Sequence, residues 1–507
     1  MALEGVGDLA INLILSRLEA EDTAKVACVS SRFRVWASDE SLWALHCSEE
    51  IDLAAPLDPL GNPAPSFKEA YQVWRETFGM YPWSLVKRVK RCFDRLTSWF
   101  RINFPEVLNT LRKGASEDEL DEFERSMGIK LPLPSRVLYR FYDGQKLPRH
   151  KLCGLIGGYS FYNHSVNVYL LPLNEIMMET RDILDHLGFT SGSKYIVVAA
   201  SSTFMEKFFF LNCANGQVYV GTSNLREDGQ MMPCVPDAAL TSVHGYKQQD
   251  AMLLWLEEHG RRLQNGIIGV REEYKIKRIC LFPELPPQCS TAVTNGVQIR
   301  ASAVLVPEAS NLQDLEAKYL FAYSVRMSLL PEGCTVHGMT YSTCQLYRRR
   351  WIIRANENVV DVVNDEGVIG QYPLLFPGDK EFVYESCTHL QISPGSVEGS
   401  FIFVPGRLAD PKGEPFEVEV AVQPLNVILS VNGSPTTPAA KSLSDLPRKR
   451  YNKRADDHGF QWKPYKEPQR RITSQKTKRY ILSTQPNVEQ SKEDIILCNC
   501  RELKDLF

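Results

Sequence analysis

The sequence predicts a multidomain α+β chain: a small helical module, a mixed α/β domain, an antiparallel β-sandwich and a disordered basic tail. Three observations carry that prediction. Apolar residues fall at helical spacing through the first fifty positions and again between Ser66 and Gly128. From about Val297 the period changes to two. Charge then shifts sharply towards the C-terminus. At 507 residues the chain is too long for one core, and three domains is the natural expectation.

Composition narrows the class. With 44% hydrophobic and 23% charged residues and a net charge of −3, the chain reads as soluble and globular. No apolar run approaches the roughly 18 residues that span a bilayer, and Lys194–Ala200 is only strand-sized. The N-terminus lacks the basic and apolar regions of a signal peptide. Thirteen cysteines are scattered singly with no Cys-x-x-Cys, which points to a reducing compartment and against a disulfide or zinc framework. The expected location is the nucleus, the cytoplasm or both, with no membrane partner.

In the first element, Asp8 to Leu18, the residues Leu9, Ile11, Ile14, Leu15 and Leu18 share one broad helical stripe, with Asp8 at the N-cap position. A second helical run covers Thr23 to Ser30, entered through Glu21 and Asp22 and carrying Val26, Ala27 and Val29. A third starts at Ser38 and places Leu42, Trp43 and Leu45 on its apolar side. Fewer than about fifty residues rarely bury enough surface to stand alone, so this module calls for a partner. Its order of features is Ile-Leu-Ser-x-Leu, an acidic turn, Val-Ala-Cys-Val-Ser and Asp-x-Ser-Leu-Trp. That order resembles the F-box over residues 3–47. One departure is Val6-Gly7, where F-boxes usually carry Leu-Pro. The resemblance implies a three-helix F-box at 1–50 that docks on the Skp adaptor, and through it on a cullin–RING ubiquitin ligase. The docking residues it implies are Ile11, Ile14, Leu15, Leu18, Val26, Val29 and Trp43.

A linker with four prolines, Pro56–Pro65, and a helix from Ser66 to Phe78 fill residues 51–83. The next domain is placed at 84–262. Ser116 followed by Glu119 forms a capping box, Leu120, Phe123 and Met127 form a buried stripe, and Gly128 stops the helix. A further helix leads into Arg140-Phe-Tyr-Asp-Gly-Gln145. The pair resembles the SUKH family over 112–146. Strands are expected at Cys153–Gly158, Tyr195–Ala200 and Lys207–Asn212, with a closing helix through Leu253, Leu254 and Trp255. Residues 263–289 read as a connector.

Period-two alternation runs through Val297, Ile299, Ala301, Ala303 and Leu305, then Tyr319 to Leu329, and returns at Phe416, Val418, Val420 and Val422. Strands separated by Pro/Gly turns, without a helix-length run between, indicate a sandwich at 290–428. Within it, Tyr347–Arg354, Glu366–Gly378 and Phe382–Cys387 resemble in order the Arg-x-Trp-x-Ile strand, glycine loop, Pro-Gly turn and Tyr-x-Ser strand of the ApaG domain. The resemblance implies an immunoglobulin-like sandwich. ApaG domains generally carry Gly-x-Gly-x-x-Gly, whereas the aligned residues here are Asp365, Gly367 and Gly370. A carboxylate repels phosphate and no helix follows, so these glycines read as a corner between strands. The expected substrate-contact region is Arg348, Arg350, Gly367, Gly370, Pro373, Pro377 and Gly378, with Arg349 beside it. The three resemblances in this order imply an F-box protein with a C-terminal ApaG domain, the substrate receptor of an SCF-type ligase whose protein substrate is unknown.

Signatures of catalysis are missing from the sequence. There is no Gly-x-Ser-x-Gly, no His-Glu-x-x-His and no Walker lysine, and the nine histidines stand singly. Gly5–Ala10 satisfies Gly-x-Gly-x-x-Ala, but no strand can precede it. Cys498 and Cys500 lack a second pair to complete a metal site. The chain is expected to be non-enzymatic, with no cofactor and no metal. The tail, 429–507, raises a different possibility. Between Pro447 and Tyr480 twelve Lys/Arg face three Asp/Glu, with Tyr451, Phe460, Trp462, Tyr465 and Tyr480 interleaved. That pattern suits nuclear import or single-stranded nucleic acid. A nuclear or nucleic-acid-binding scaffold is therefore the alternative to a ligase receptor.

Overall fold

The computed structural model of the chain describes residues 8–146, 152–162, 164–186, 194–201, 203, 207–240, 249–273, 276–356, 358–425 and 441–442. Of the tail expected to be disordered at 429–507, all but Lys441–Ser442 lies outside the described residues.

The N-terminal module has four short helices where three were expected: α1 (Asp8–Leu15), α2 (Ala20–Val26), α3 (Ser31–Trp36) and α4 (Glu40–Ile51). Ser30 explains the extra one. Its hydroxyl accepts from the Phe33 N–H at 3.3 Å, capping a new helix where the second run was expected to end. Asp8 opens the first helix. Its Oδ1 accepts from the Trp36 indole Nε1 at 3.0 Å, tying α1 to α3. Ile11, Leu15, Trp36, Ala37 and Leu42 close a small core, with Leu18, Val26, Ala27 and Phe33 packed at its margin. α4 is a shared wall. Leu42 enters this core, while Trp43, Cys47 and Ile51 enter the next one beside Tyr71 and Trp74 of α5 (Phe67–Phe78).

The middle domain begins with α6 (Trp83–Asn103), the short α7 (Pro105–Leu108), α8 (Glu117–Met127) and α9 (Leu133–Phe141). The capping box of α8 is complete. Ser116 Oγ accepts from Glu119 N at 3.2 Å, Glu119 Oε2 accepts from Ser116 N at 2.7 Å, and Gly128 ends the helix at φ 63°. A meander follows: β1 (Gly157–Phe161), β2 (His164–Leu170), β3 (Tyr195–Ser201), β4 (Phe208–Asn212), β5 (Val218–Gly221) and β6 (Gln230–Pro233). α10 (Leu173–His186) and α11 (Leu225–Asp228) interrupt it, and α12 (Ala251–Gln264) returns onto α6. Arg88 of α6 holds that return, pairing with the buried Asp250 at 2.7 Å and with Glu257 at 2.6 Å. The stretch read as a connector carries two strands, β7 (Gly269–Glu273) and β8 (Ile276–Cys280). They extend the sheet on its other side, giving the order β6-β5-β4-β3-β2-β1-β8-β7, with β1 and β8 parallel.

The sandwich comprises β9 (Cys289–Thr294), β10 (Val297–Leu305), β11 (Tyr319–Leu329), the β12 (Cys334–Val336) and β13 (Met339–Tyr341) hairpin, β14 (Cys344–Ala355), β15 (Asn358–Glu366), β16 (Leu374–Leu375), β17 (Phe382–Leu390), β18 (Gly395–Arg407), β19 (Asp410–Pro411) and β20 (Phe416–Leu425). One sheet runs β17-β11-β10-β9. The other runs β15-β14-β18-β19, with β16 on β14 and β20 on β18. Trp351, Phe401, Phe403, Val325 and Val418 fill the space between them. A last strand, β21 (Lys441–Ser442), pairs with β6 and completes a nine-stranded sheet in the middle domain.

β11 departs from a half-exposed strand, because both of its faces are buried. Tyr319, Phe321, Tyr323, Val325 and Met327 enter the sandwich core. Leu320 and Ala322 pack instead with Tyr159, Phe161, Val166, Cys280 and Phe282 of the neighbouring domain. Sandwich and middle domain therefore share a second, inter-domain core, and polar groups seal its margins. Arg271 reaches Glu284 at 2.9 Å, Glu385 at 3.2 Å and Ser324 at 3.0 Å, while Ser160 donates to Glu385 at 2.9 Å.

Candidate docking surfaces

Short helices force a choice about which apolar side chains turn inward. α1 has eight residues, and Leu9, Ile11, Leu13, Ile14 and Leu15 are more than one stripe can hold. Ile11 and Leu15 take the inner stripe at 2% exposure, leaving Leu13 at 62% and Ile14 at 50%. Val29, in the turn after α2, and Val35 on α3 are likewise exposed. Each such aliphatic forgoes about 1.5–3 kcal/mol that burial would supply.

Against the docking residues implied by sequence, the structure divides the set. Ile14 and Val29 are on the surface, and Leu18 and Val26 are half-buried at the margin of the small core. Ile11, Leu15 and Trp43 face inward, each 2% exposed. Trp43 donates its indole N–H to the Ala37 carbonyl at 2.7 Å, and its ring lies 5.3 Å from that of Tyr71. Leu13 and Val35, outside that set, are exposed as well. The crowding of aliphatics on α1 was the available signal, since a helix this short cannot point five of them inward.

On the sandwich, Arg348, Arg349 and Arg350 lie on β14 and do three different things. The guanidinium of Arg348 stacks over the Tyr347 ring at 5.6 Å. Arg349 donates to the Gly367 carbonyl at 2.9 Å and pairs with Asp365 at 3.3 Å. Arg350 is exposed. The acid that stands where ApaG domains generally have a glycine is thus neutralised by Arg349, and β16, not a helix, follows the loop. Gly367 and Gly370 adopt φ of 61° and 71°, and Val368 bridges across Gly370 to Gln371, so they turn a corner. A Cβ on Gly367 would stand 2.5 Å from the Gln371 carbonyl, whereas at Gly370 the space is open. Pro373 accepts from the Leu346 N–H at 3.0 Å, Pro377 bridges to Leu329, and Gly378 has φ 81°. Of the residues expected to contact substrate, only Pro373 lines the open cleft of about 320 Å³ nearby. Its other walls are Ser328, Leu329, Leu374–Phe376 and Asp379–Phe382.

Among the described residues no group of three His, Cys, Asp or Glu is placed to hold a metal. None of the described helices is long and apolar enough to cross a membrane.

The F-box protein SKIP16 of Arabidopsis thaliana is 57% identical over 435 residues, which cover 84% of this chain and 99% of that protein. The chain belongs to the SKIP16 family of F-box proteins. F-box only protein 3 of Homo sapiens is 25% identical over 418 residues, 80% of this chain and 79% of that protein. Two families match parts of this F-box protein: the SMI1/KNR4 family (SUKH-1) at residues 114–237 and the ApaG domain at 309–405. The first match starts just ahead of α8, and the second runs from the turn before β11 into β18. Protein ApaG of Anaeromyxobacter dehalogenans is 33% identical over 143 residues, 28% of this chain and 99% of that protein.

Proposed function

We propose that this F-box protein is the substrate-recognition subunit of an SCF-type (cullin–RING) ubiquitin ligase, acting in the nucleus or cytoplasm without chemistry of its own. The N-terminal module docks on the Skp adaptor. The middle domain and sandwich capture a protein substrate and raise its effective concentration beside the ubiquitin-charged enzyme.

The observation that carries this reading is the exposure of Leu13, Ile14, Val29 and Val35 on a module whose own core is already closed. Large aliphatics left out of a complete core are what an apolar docking surface needs. The inter-domain core supports the second half of the reading, because it makes the middle domain and sandwich one platform for a captured protein.

The test is recovery of the Skp adaptor by the full chain against Ile14→Asp and Val29→Asp. These positions are exposed, so the fold survives the change. Loss of adaptor from both variants is the expected result, and undiminished recovery by both overturns the docking surface. Deleting residues 1–47 is the poorer test, since it strips Trp43 and Cys47 from the core that also holds Tyr71 and Trp74.

A further inference from the structure

We propose that the free edge of β15 captures a basic, extended segment of a partner by adding it to the sandwich as a further strand. β15 is the terminal strand of its sheet and pairs only with β14 among the described strands. The Gly367 N–H donates to the Tyr347 carbonyl, so the odd-numbered positions Val363 and Asp365 direct their backbone groups towards β14. Val362, Asn364 and Glu366 direct theirs outward. The Val362 N–H fits this assignment, because it is satisfied by the side chain of Asp361 at 2.8 Å and not by a strand. These three residues are also exposed at their side chains.

The usual defences of an edge are charged side chains, lysine above all, a proline, a bulge or a cover, and the acids of β15 act chiefly against another acidic strand. β15 has neither proline nor lysine, and its irregularity lies before Asp361, between the pairs Ile353–Asp361 and Arg354–Val359. The stretch from Val362 to Glu366 is therefore regular and, among the described residues, open, with Val362 53% exposed.

Charge selects the occupant. β15 carries Asp361, Asp365 and Glu366 and no cation, and with Asp365 paired to Arg349, Asp361 and Glu366 set the charge of the edge. A second copy pairing edge to edge would bring these acids together, which is unfavourable across a ladder. The arginines of β14 lie one strand further in. An added strand stands about 4.8 Å from β15 and about twice that from β14, while charges are screened over about 8 Å at physiological ionic strength. The acids dominate the nearest row, so the segment that fits alternates basic with β-branched residues. In the receptor reading above, on which the occupant's identity rests, that segment belongs to the substrate; the binding itself does not depend on it.

The test uses the full chain and fluorescent eight-residue peptides alternating valine with lysine or valine with glutamate, read by anisotropy. The lysine peptide binds saturably, and the glutamate peptide binds at least about tenfold more weakly. N-methylation of alternate lysine-peptide amides abolishes binding, because ladder hydrogen bonds and not side chains hold it. Asn364→Pro removes an outward N–H without taking one from the β14 ladder, and it lowers affinity with an unchanged melting temperature. Asn364→Ala binds normally. Hydrogen exchange slows at Asn364 and Glu366 on binding. No saturable binding, equal binding of the N-methylated peptide, or equal binding of the glutamate peptide overturns the proposal. Peptide capture that persists in a chain unable to recover the Skp adaptor removes the receptor reading and leaves this one standing.

Discussion

Lys207 Nζ donates to Glu308 Oε2 at 2.8 Å inside the boundary between the middle-domain sheet and the sandwich, with both side chains buried. Lys207 also reaches the Tyr159 hydroxyl at 2.6 Å, that hydroxyl donates to Glu308 Oε1 at 2.8 Å, and His164 Nε2 lies 3.1 Å from the same oxygen. Burial alone would raise the Glu308 pKa, but Lys207, joined by His164, holds it down to about 2. A carboxylate this enclosed is tolerable only while its cation stays.

Lys207→Met is therefore expected to cost about 3–5 kcal/mol, whereas Lys207→Met combined with Glu308→Met recovers most of the loss. Urea unfolding of both variants checks this. A single mutant within about 1 kcal/mol of wild type would show that the pair is solvated. Because the folded pKa is depressed, the carboxylate stabilises the fold above its ordinary value of 4.5 and loses that effect as pH falls towards about 2.

His259 supplies a separate pH window. Its Nε2 lies 2.9 Å from the Leu155 carbonyl, an acceptor, so that nitrogen carries the proton. Burial pushes the imidazole from 6.5 down to about 4. The unfolded chain takes up a proton near 6.5 and the folded one does not, so stability is full above pH 6.5 and falls as pH drops towards 4. The loss amounts to about 3 kcal/mol by pH 4. His259→Gln should flatten the dependence of unfolding free energy on pH between 6.5 and 4.5. An unchanged slope in the variant would assign the loss elsewhere.

Neighbouring residues on α1 should behave oppositely. Leu15→Asp buries a charge in the small core and lowers the melting temperature of the module along with adaptor binding. Ile14→Asp should leave stability within about 0.5 kcal/mol and lose only the adaptor. Calorimetry beside a pulldown separates the two. Equal destabilisation by both would mean that Ile14 belongs to the core.

The glycine corner makes a graded prediction. Gly370→Ala meets open space and bears only the left-handed backbone penalty of about 1–2 kcal/mol. Gly367→Ala adds the Gln371 carbonyl to the same penalty and should lower the melting temperature further. Inorganic phosphate should leave both variants and the wild type unshifted, because Arg349, the cation beside the corner, is already paired with Asp365. A phosphate-dependent shift in wild type alone would restore the loop as an anion site.

Much of this architecture is legible in local sequence, because local signals act over one helical turn or one strand. The Ser116/Glu119 box, the Gly128 stop and the period-two runs at Val297–Leu305 and Tyr319–Leu329 each specify an element through neighbours a few residues away. The ordered motifs also identify the F-box, SUKH-like and ApaG parts. What the chain does with surplus apolar surface is a different matter, since it depends on contacts between residues far apart in sequence. Only the folded chain shows that Ile11 and Leu15 turn inward while Leu13 and Ile14 do not, and that α4 gives Trp43 to its neighbour. The far face of β11, with Leu320, Ala322 and Ser324, looks like a half-exposed strand in sequence. It is buried because strands from the stretch read as a connector bring Arg271 and Cys280 against it. Periodicity reports that a face is apolar; which surface covers it is decided when the domains close on one another.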